Sequence, residues 1–351
     1  MAWKIGVLGM THDHIWSHIR ELAGRDDVTL AVADPNAPLV EKARDEYGVA
    51  RGYGDYADLL ERERPDAVLI FADSAGTVPL VELGASHGKP VMIEKPMADS
   101  LAGAERVRVA VNAAGVQLLV NWPTAWRPEI RHTLQLAAAG AIGDVFRLNF
   151  RGGHRGPKEY GCSPYFYGWL HDPANDGSGA YMDYCGYGAS MARLLLGLPS
   201  RTQATIGRLQ KDDIAVDDNA VLLLRYPGAM AVIEATWTAA GPVLESGPVL
   251  YGRDGTLVAR RQPPRGEGQA AAPHGDVLHV SRDEPEGRAL TPPPLPEGER
   301  TAVEYFLTRL AAERPIEGLV SLAVGRDTQE ILEAGLRAAR TGCEISLPLA
   351  E

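Results

Sequence analysis

The chain has 351 residues, 45% of them hydrophobic and 23% charged, which suits two domains with ordinary cores and excludes disorder as the main state. A formal charge of −11 argues against nucleic acid or an anionic membrane as partner, since a polyanion is met by a basic footprint. Three cysteines without CxxC spacing, Cys162, Cys185 and Cys343, favour free thiols in a reducing compartment over a disulfide framework or zinc site.

The opening residues MAWKIGVLG lead directly into a strand, with no basic n-region or apolar h-region, and no run of about 18 apolar residues follows. The expectation is a cytoplasmic chain with no membrane partner. Residues 4 to 121 then alternate short apolar runs with helical periodicity. The runs KIGVLG, VTLAVAD, DAVLIFA, KPVMIE and VQLLVNW are continuous, as in strands buried on both faces. Segments such as PLVEKARDEYG and YADLLERERP between them leave room for crossover helices. A doubly wound α/β domain is predicted for 1–121. RPEIRHTLQLAAAGAIG reads as one helix closed by Gly140. Beyond it, GDVFRLNFRGGH, AVLLLRY and AMAVIEATWTA alternate, which predicts a mostly antiparallel sheet in a second α/β domain, 122–351. Residues 261–300, rich in Pro, Gly and acids, read as an irregular surface connection. Two amphipathic helices near 299–313 and 321–340 precede a short strand, EISLPL.

The first strand runs into GVLGMTHDHIWSHI. Gly9 fits the tight turn of a GxGxxG dinucleotide loop, while Thr11 and His14 stand where its second and third glycines would be. Context adds to the single match. The turn opens a helix, and Asp34 ends the second strand about 25 residues on, where a carboxylate holds an adenosine ribose diol and repels a 2′-phosphate. A strand, turn and helix with one Gly also occurs in nucleotide-free α/β proteins, and that reading stays open at this point. The imidazoles of THDH and His18 are close enough in sequence to chelate, yet no cysteine or acid is evidently paired with them. No metal is therefore expected. Thr11 or Asp13 is expected to cap the helix, with the histidines beside the pyrophosphate or on the surface.

At GKPVMIEKPMADS, Glu94, Lys95 and Pro96 resemble the EKP motif of the Gfo/Idh/MocA family, the glucose-fructose oxidoreductase and inositol dehydrogenase relatives. The resemblance continues through DSLAGAERV, GAIGDVFRL, WLHDPANDGSGAYMDYCGYGASMARLLLG and GRDTQEILEAGLRAARTGCEISLPL. It implies an N-terminal Rossmann domain, a C-terminal α/β domain with a large open sheet, and NAD as cofactor. Gly9, Met10, Thr11, His12, Asp34, Ala72, Asp73, Glu94, Lys95 and Asn121 are the implied cofactor contacts. It also implies a cis Lys95–Pro96 peptide and a homodimer or homotetramer formed through the open sheet.

In the family a helix carries an Asp and, four residues on, a His facing nicotinamide and substrate; here those positions are Asp183 and Tyr187. Residues i and i+4 share a helix face, so both side chains can reach one substrate. A phenol with an ordinary pKa of about 10 is a poor base at neutral pH. A neighbouring Lys95 ammonium and the positive nicotinamide ring would both lower it. Some sugar ketoreductases of the family resemble this chain in placing Tyr there. Lys95, Tyr187 and Asp183 are the catalytic candidates. FADSAGT, where relatives often carry Thr-Pro and then His, is a further departure. The span RGGHRGPKEYGCSPYFYGWLHDP packs aromatics with polar tips, which suit the faces and rims of a sugar or cyclitol. His154, Trp169 and His171 are the substrate-side candidates. The expected activity is NAD(H)-dependent interconversion of a secondary alcohol and ketone on a sugar, cyclitol or glycoside. The alternatives are a glycoside hydrolase or lyase that uses NAD transiently, and a non-catalytic sensor of sugars or nucleotides.

Overall fold

The computed structural model describes all residues except 1, 242, 244–245, 262–274 and 351. The chain divides into two compact units, the first formed by 1–121, 161–177 and 301–326 and the second by 122–160, 178–300 and 327–351. The sequence division at 121 is thus crossed again by two later segments, which pack with the first unit.

The first unit is built on six strands, β1 (Trp3–Leu8), β2 (Val28–Ala33), β3 (Arg51–Tyr53), β4 (Ala67–Ile70), β5 (Val91–Glu94) and β6 (Leu118–Asn121). They pair in parallel in the order β3-β2-β1-β4-β5-β6. The crossovers are α1 (Ile15–Ala23), α2 (Ala37–Tyr47), α3 (Tyr56–Glu63), α4 (Ser74–Ser86) and α5 (Leu101–Ala114). The continuous apolar runs are explained by burial on both faces: Val7, Leu8, Ile70 and Ile93 are 0% exposed, each contributing roughly 1.5–3 kcal/mol. In α1 the buried residues Ile15, Ile19 and Leu22 recur at helical spacing, which lays one stripe on the sheet. Only β3, three residues long, escapes the sequence reading.

The chain enters the second unit through α6 (Pro128–Ala138), β7 (Val145–Gly153) and the short α7 (Pro157–Tyr160). It returns to the first unit for α8 (Pro164–Leu170) and α9 (Pro173–Asp176). A π-helical turn at Tyr181–Cys185 then leads into α10 (Gly186–Leu196). Eight further strands follow in the second unit: β8 (Arg201–Gly207), β9 (Asn219–Arg225), β10 (Met230–Thr236), β11 (Gly247–Gly252), β12 (Gly255–Arg260), β13 (Asp276–Ser281), β14 (Arg288–Leu290) and β15 (Ile345–Ser346). The helices α11 (Ala302–Ala311) and α12 (Leu322–Thr341) complete the chain. The sheet has nine strands in the order β14-β13-β12-β11-β7-β10-β9-β8-β15. Its pairs are antiparallel apart from β7 with β10. The fold is therefore α/β, with a parallel sheet first and a mostly antiparallel one second.

Two expectations are corrected here. Residues 261–300 are not uniformly irregular, because β13 and β14 extend the sheet edge. Their flanking prolines and glycines masked a hairpin whose register is set by pairing with β12. Most of RQPPRGEGQAAAPHGD lies outside the described residues. The helix expected to carry Asp183 is not α-helical there but a π-turn, a device that recurs at functional sites.

Candidate active site

Gly9 occupies the turn after β1 with φ +82°, in the left-handed region where a side chain is strained. A Cβ there would also meet the Ala72 Cβ at 3.1 Å. The loop that follows is tied to the ends of the neighbouring strands β2 and β4. Gly9 N–H donates to Ala33 O at 2.9 Å, His12 N–H to Phe71 O at 3.0 Å and Met10 N–H to Asp34 Oδ2 at 2.6 Å. Asp34 Oδ1 accepts from both Asn36 N–H and its Nδ2, each at 2.8 Å. Burial raises the Asp34 pKa, and these donors oppose the rise. Burial also raises the Tyr56 phenol, with Asp34, Asp73 and Asp55 adding to it, so Asp34, Tyr56 and Asp73 share one neighbourhood. Asp73 itself caps α4, accepting from Gly76 N–H. Neither Thr11 nor Asp13 caps α1. Its N-cap is His14, with no side-chain cap bond.

Below the loop lies a buried polar cluster at the ends of β5 and β6. Asn121 Nδ2 donates to Glu94 Oε2 at 2.6 Å and faces His18 Nε2 at 3.4 Å. Holding the amide nitrogen toward both makes His18 an acceptor, hence neutral. Burial is the main cause that lowers the His18 pKa to about 4, with His14 adding to it and Glu94 opposing. His14 Nδ1 lies 3.1 Å from Glu94 Oε1. The buried His12 is held well below its usual pKa, first by burial and then by the charges of His14, Lys95 and His18. Lys95, 4% exposed, begins a cis Lys95–Pro96 peptide, as the resemblance implies, and its N–H donates to Asn121 O at 3.3 Å.

The returning segment 161–177 packs on this loop. Ser163 donates to Asp13 through its N–H at 2.6 Å and its hydroxyl at 2.7 Å, which occupies the carboxylate expected to cap α1. The His12 ring lies 4.4 Å from Phe166 and 5.7 Å from Trp169. Trp169 and His171 therefore belong to the first unit. Thr11 Oγ1 and Trp169 Nε1 are shielded from water without a hydrogen-bond partner, which is unusual for buried polar atoms. Two unfilled polar groups around a strand–turn–helix loop fit a bound dinucleotide.

Asp183, Tyr187 and His154 come together in the second unit. Asp183, 8% exposed, accepts from the Trp237 indole N–H at 3.0 Å. The Tyr187 ring lies 5.5 Å from Trp122, 5.8 Å from Tyr184 and 6.2 Å from Phe150. His154 stacks on Tyr160 at 5.2 Å and parallel to Trp237 at 6.4 Å, and its Nδ1 accepts from Gly156 N–H at 2.9 Å. The glycines flanking Tyr187 have a packing cause. A Cβ on Gly186 would come within 2.8 Å of Trp122, and one on Gly188 within 2.8 Å of Ile233 and Phe150, so only glycine lets the helix approach this closely. Trp237 and Tyr184 were missed as site residues. Trp237 read as the end of a strand, and its partner is 54 residues away.

The strand order reverses between β1 and β4, beside the Gly9 turn, which is where open α/β sheets bind ligands. This order and turn define a dinucleotide-binding Rossmann domain. Residues 4–122 match the profile of the oxidoreductase family with an NAD-binding Rossmann fold, and residues 130–258 that of the GFO/IDH/MocA C-terminal domain. The chain belongs to the Gfo/Idh/MocA oxidoreductase family. It is 29% identical to a D-apiose dehydrogenase of Paraburkholderia graminis over 67% of this chain and 59% of that one. It is 27% identical to a D-apiose dehydrogenase of Rhizobium rhizogenes over 72% of this chain and 70% of that one. The match thus spans little more than half of the first relative. An oxidoreductase from Agrobacterium radiobacter, solved with NAD+, L-tartaric acid and magnesium, shares the fold with a TM-score of 0.81 at 20% identity, covering 99% of this chain and 98% of that one. Among the described residues, no helix is long and apolar enough to cross a membrane.

Proposed function

We propose that the protein is an NAD(H)-dependent dehydrogenase that interconverts a secondary alcohol and a ketone on a sugar or cyclitol. The observation that carries this reading is Lys95, an ammonium 4% exposed at the carboxyl end of β5, in the Glu94-Lys95-Pro96 turn with its cis peptide. An amine held in a dry site is suited to exchange a proton with a substrate hydroxyl. NAD, when bound, supplies the hydride acceptor. The Gly9 turn, Thr11 hydroxyl and Asp34 are the groups that hold it. Asp34 favours a ribose diol over a 2′-phosphate by charge. Lys95 and Tyr187 handle the proton, while Asp183 orients a hydroxyl, its own carboxylate oriented by Trp237. His154, Trp169 and His171 remain the substrate-side candidates. The D-apiose dehydrogenase relatives support a polyhydroxylated substrate.

We infer, in addition, self-association through the second-unit sheet. Its outer face presents Val221, Leu223 and Met230, 38%, 40% and 51% exposed, and apolar surface of this kind marks an interface. Light scattering reading only a monomer at micromolar concentration would remove that inference.

The activity is tested by incubating the full chain with NAD+ and a panel of aldoses, ketoses and cyclitols while reduced nicotinamide is measured. Net NADH with at least one substrate is expected. Substrate consumed with no net NADH would overturn the reading in favour of transient oxidation.

A further inference from the structure

We propose that the first unit carries a divalent-cation site built from His12, His14 and Glu94. One ligand atom from each of the three lies within 4.8 Å of the other two. The His14 Nδ1 to Glu94 Oε1 separation of 3.1 Å is near the roughly 3.3 Å edge of a tetrahedron around an ion with bonds of about 2.0 Å. His12 and His14 flank one residue in the turn before α1 begins at Ile15, and their rings converge to 4.6 Å. Helical spacing does not allow this for residues two apart.

The surroundings suit ligation. Asn121 Nδ2 grips the second Glu94 oxygen at 2.6 Å, the outer-shell restraint that orients a ligating carboxylate. His12 is buried, 2% exposed, so few waters compete for its ring nitrogen. Phe166 and Trp169 close over its ring, which lowers the local dielectric. His12 Nδ1 accepts from the His14 N–H at 3.3 Å, which leaves its Nε2 as the nitrogen for the ion. The positive charge of Lys95, felt at His12, opposes a cation here, and the Glu94 carboxylate offsets it.

Two imidazoles and one carboxylate suit zinc and its transition-metal neighbours, and calcium and magnesium poorly. Three protein ligands leave a fourth position for water or an oxygen of a bound molecule. The proposal departs from the sequence expectation of no metal because Glu94, the acid that was not evident, lies 80 residues from His14 and is brought to it by the strand order. The site shares His12 and Glu94 with the cofactor contacts that the resemblance implies, and its test reads metal and not turnover.

The experiment uses the full chain, freed of any affinity tag and stripped by a chelator. Zn2+ is titrated by calorimetry, and Co2+ by its visible d–d absorption. One equivalent at micromolar affinity or tighter is expected, with the Co2+ spectrum of a tetrahedral nitrogen–oxygen site. His14→Ala removes a partly exposed ring and little packing, so it should fold, as its thermal unfolding would verify. It should weaken binding by at least about 100-fold, as should Glu94→Gln, while Asn121→Ala weakens it about 10- to 100-fold. His132→Ala, in the second unit, should bind as wild type. No stoichiometric uptake by the stripped wild type overturns the site, as does wild-type binding by folded His14→Ala and Glu94→Gln.

Discussion

Replacing Trp237 by Phe removes one hydrogen bond from a carboxylate placed in the chemistry. Asp183 is 8% exposed and Trp237 fully buried, and their bond is 3.0 Å long. A hydrogen bond to a charged group in such a setting contributes about 1.5–3 kcal/mol. The smaller ring also leaves a cavity, adding roughly 1 kcal/mol. Trp237→Phe should thus cost about 2.5–4 kcal/mol in urea unfolding. Combined with Asp183→Ala in a double-mutant cycle, it should show a coupling of about 1.5–3 kcal/mol, because the cavity contribution cancels. The same substitution loosens the carboxylate that orients the substrate, so kcat/KM should fall about 100-fold. Coupling below about 0.5 kcal/mol would show that the indole does not hold Asp183, and the positioning argument would fail.

Further outcomes follow from the same structure. An unfolded His18 takes up its proton near pH 6.5 and the folded one at about 4, so between those values the unfolded chain binds more protons. Stability should fall as pH drops through that window, by up to about 3 kcal/mol, and the loss should be smaller in His18→Gln; equal slopes for the two proteins would refute it. Asp34→Ala orphans the Met10 and Asn36 donors and should cost about 1–3 kcal/mol, while calorimetry shows the preference for NAD(H) over NADP(H) narrowing. A wild type that prefers NADP(H) would sink the cofactor assignment. Tyr187→Phe keeps the ring against Trp122 and Phe150, so it should fold and bind NAD while the rate falls about 10²- to 10⁴-fold. Near-normal turnover would make Tyr187 a packing residue.

Much of the first unit was legible because its strands are buried on both faces and its helices on one, which leaves continuous runs and helical stripes in the sequence. Gly9 could be read locally as the residue of a tight turn, and the Glu94-Lys95-Pro96 turn through its resemblance to the family motif. What escaped depends on partners distant in sequence. Asp13 reads as a helix cap, yet its carboxylate is taken by Ser163, 150 residues on. The sequence does not show that the segment carrying Trp169 returns to pack on His12 of the first unit. The π-turn at Tyr181–Cys185 has no local sequence rule. It is stabilised from outside, by Asp217 accepting the Gly179 and Tyr181 N–H groups at 2.7 and 2.8 Å.

The central claim is that Lys95 serves the proton step of a nicotinamide-dependent oxidation. Lys95→Met keeps most of the buried aliphatic stem and removes the ammonium. Its steady-state rate of NADH formation, measured beside its affinity for NAD+, tests that claim most directly. The account expects NAD+ binding within a few-fold of wild type and a rate lowered by about 10²- to 10⁴-fold. A Lys95→Met enzyme that forms NADH at the wild-type rate would contradict it.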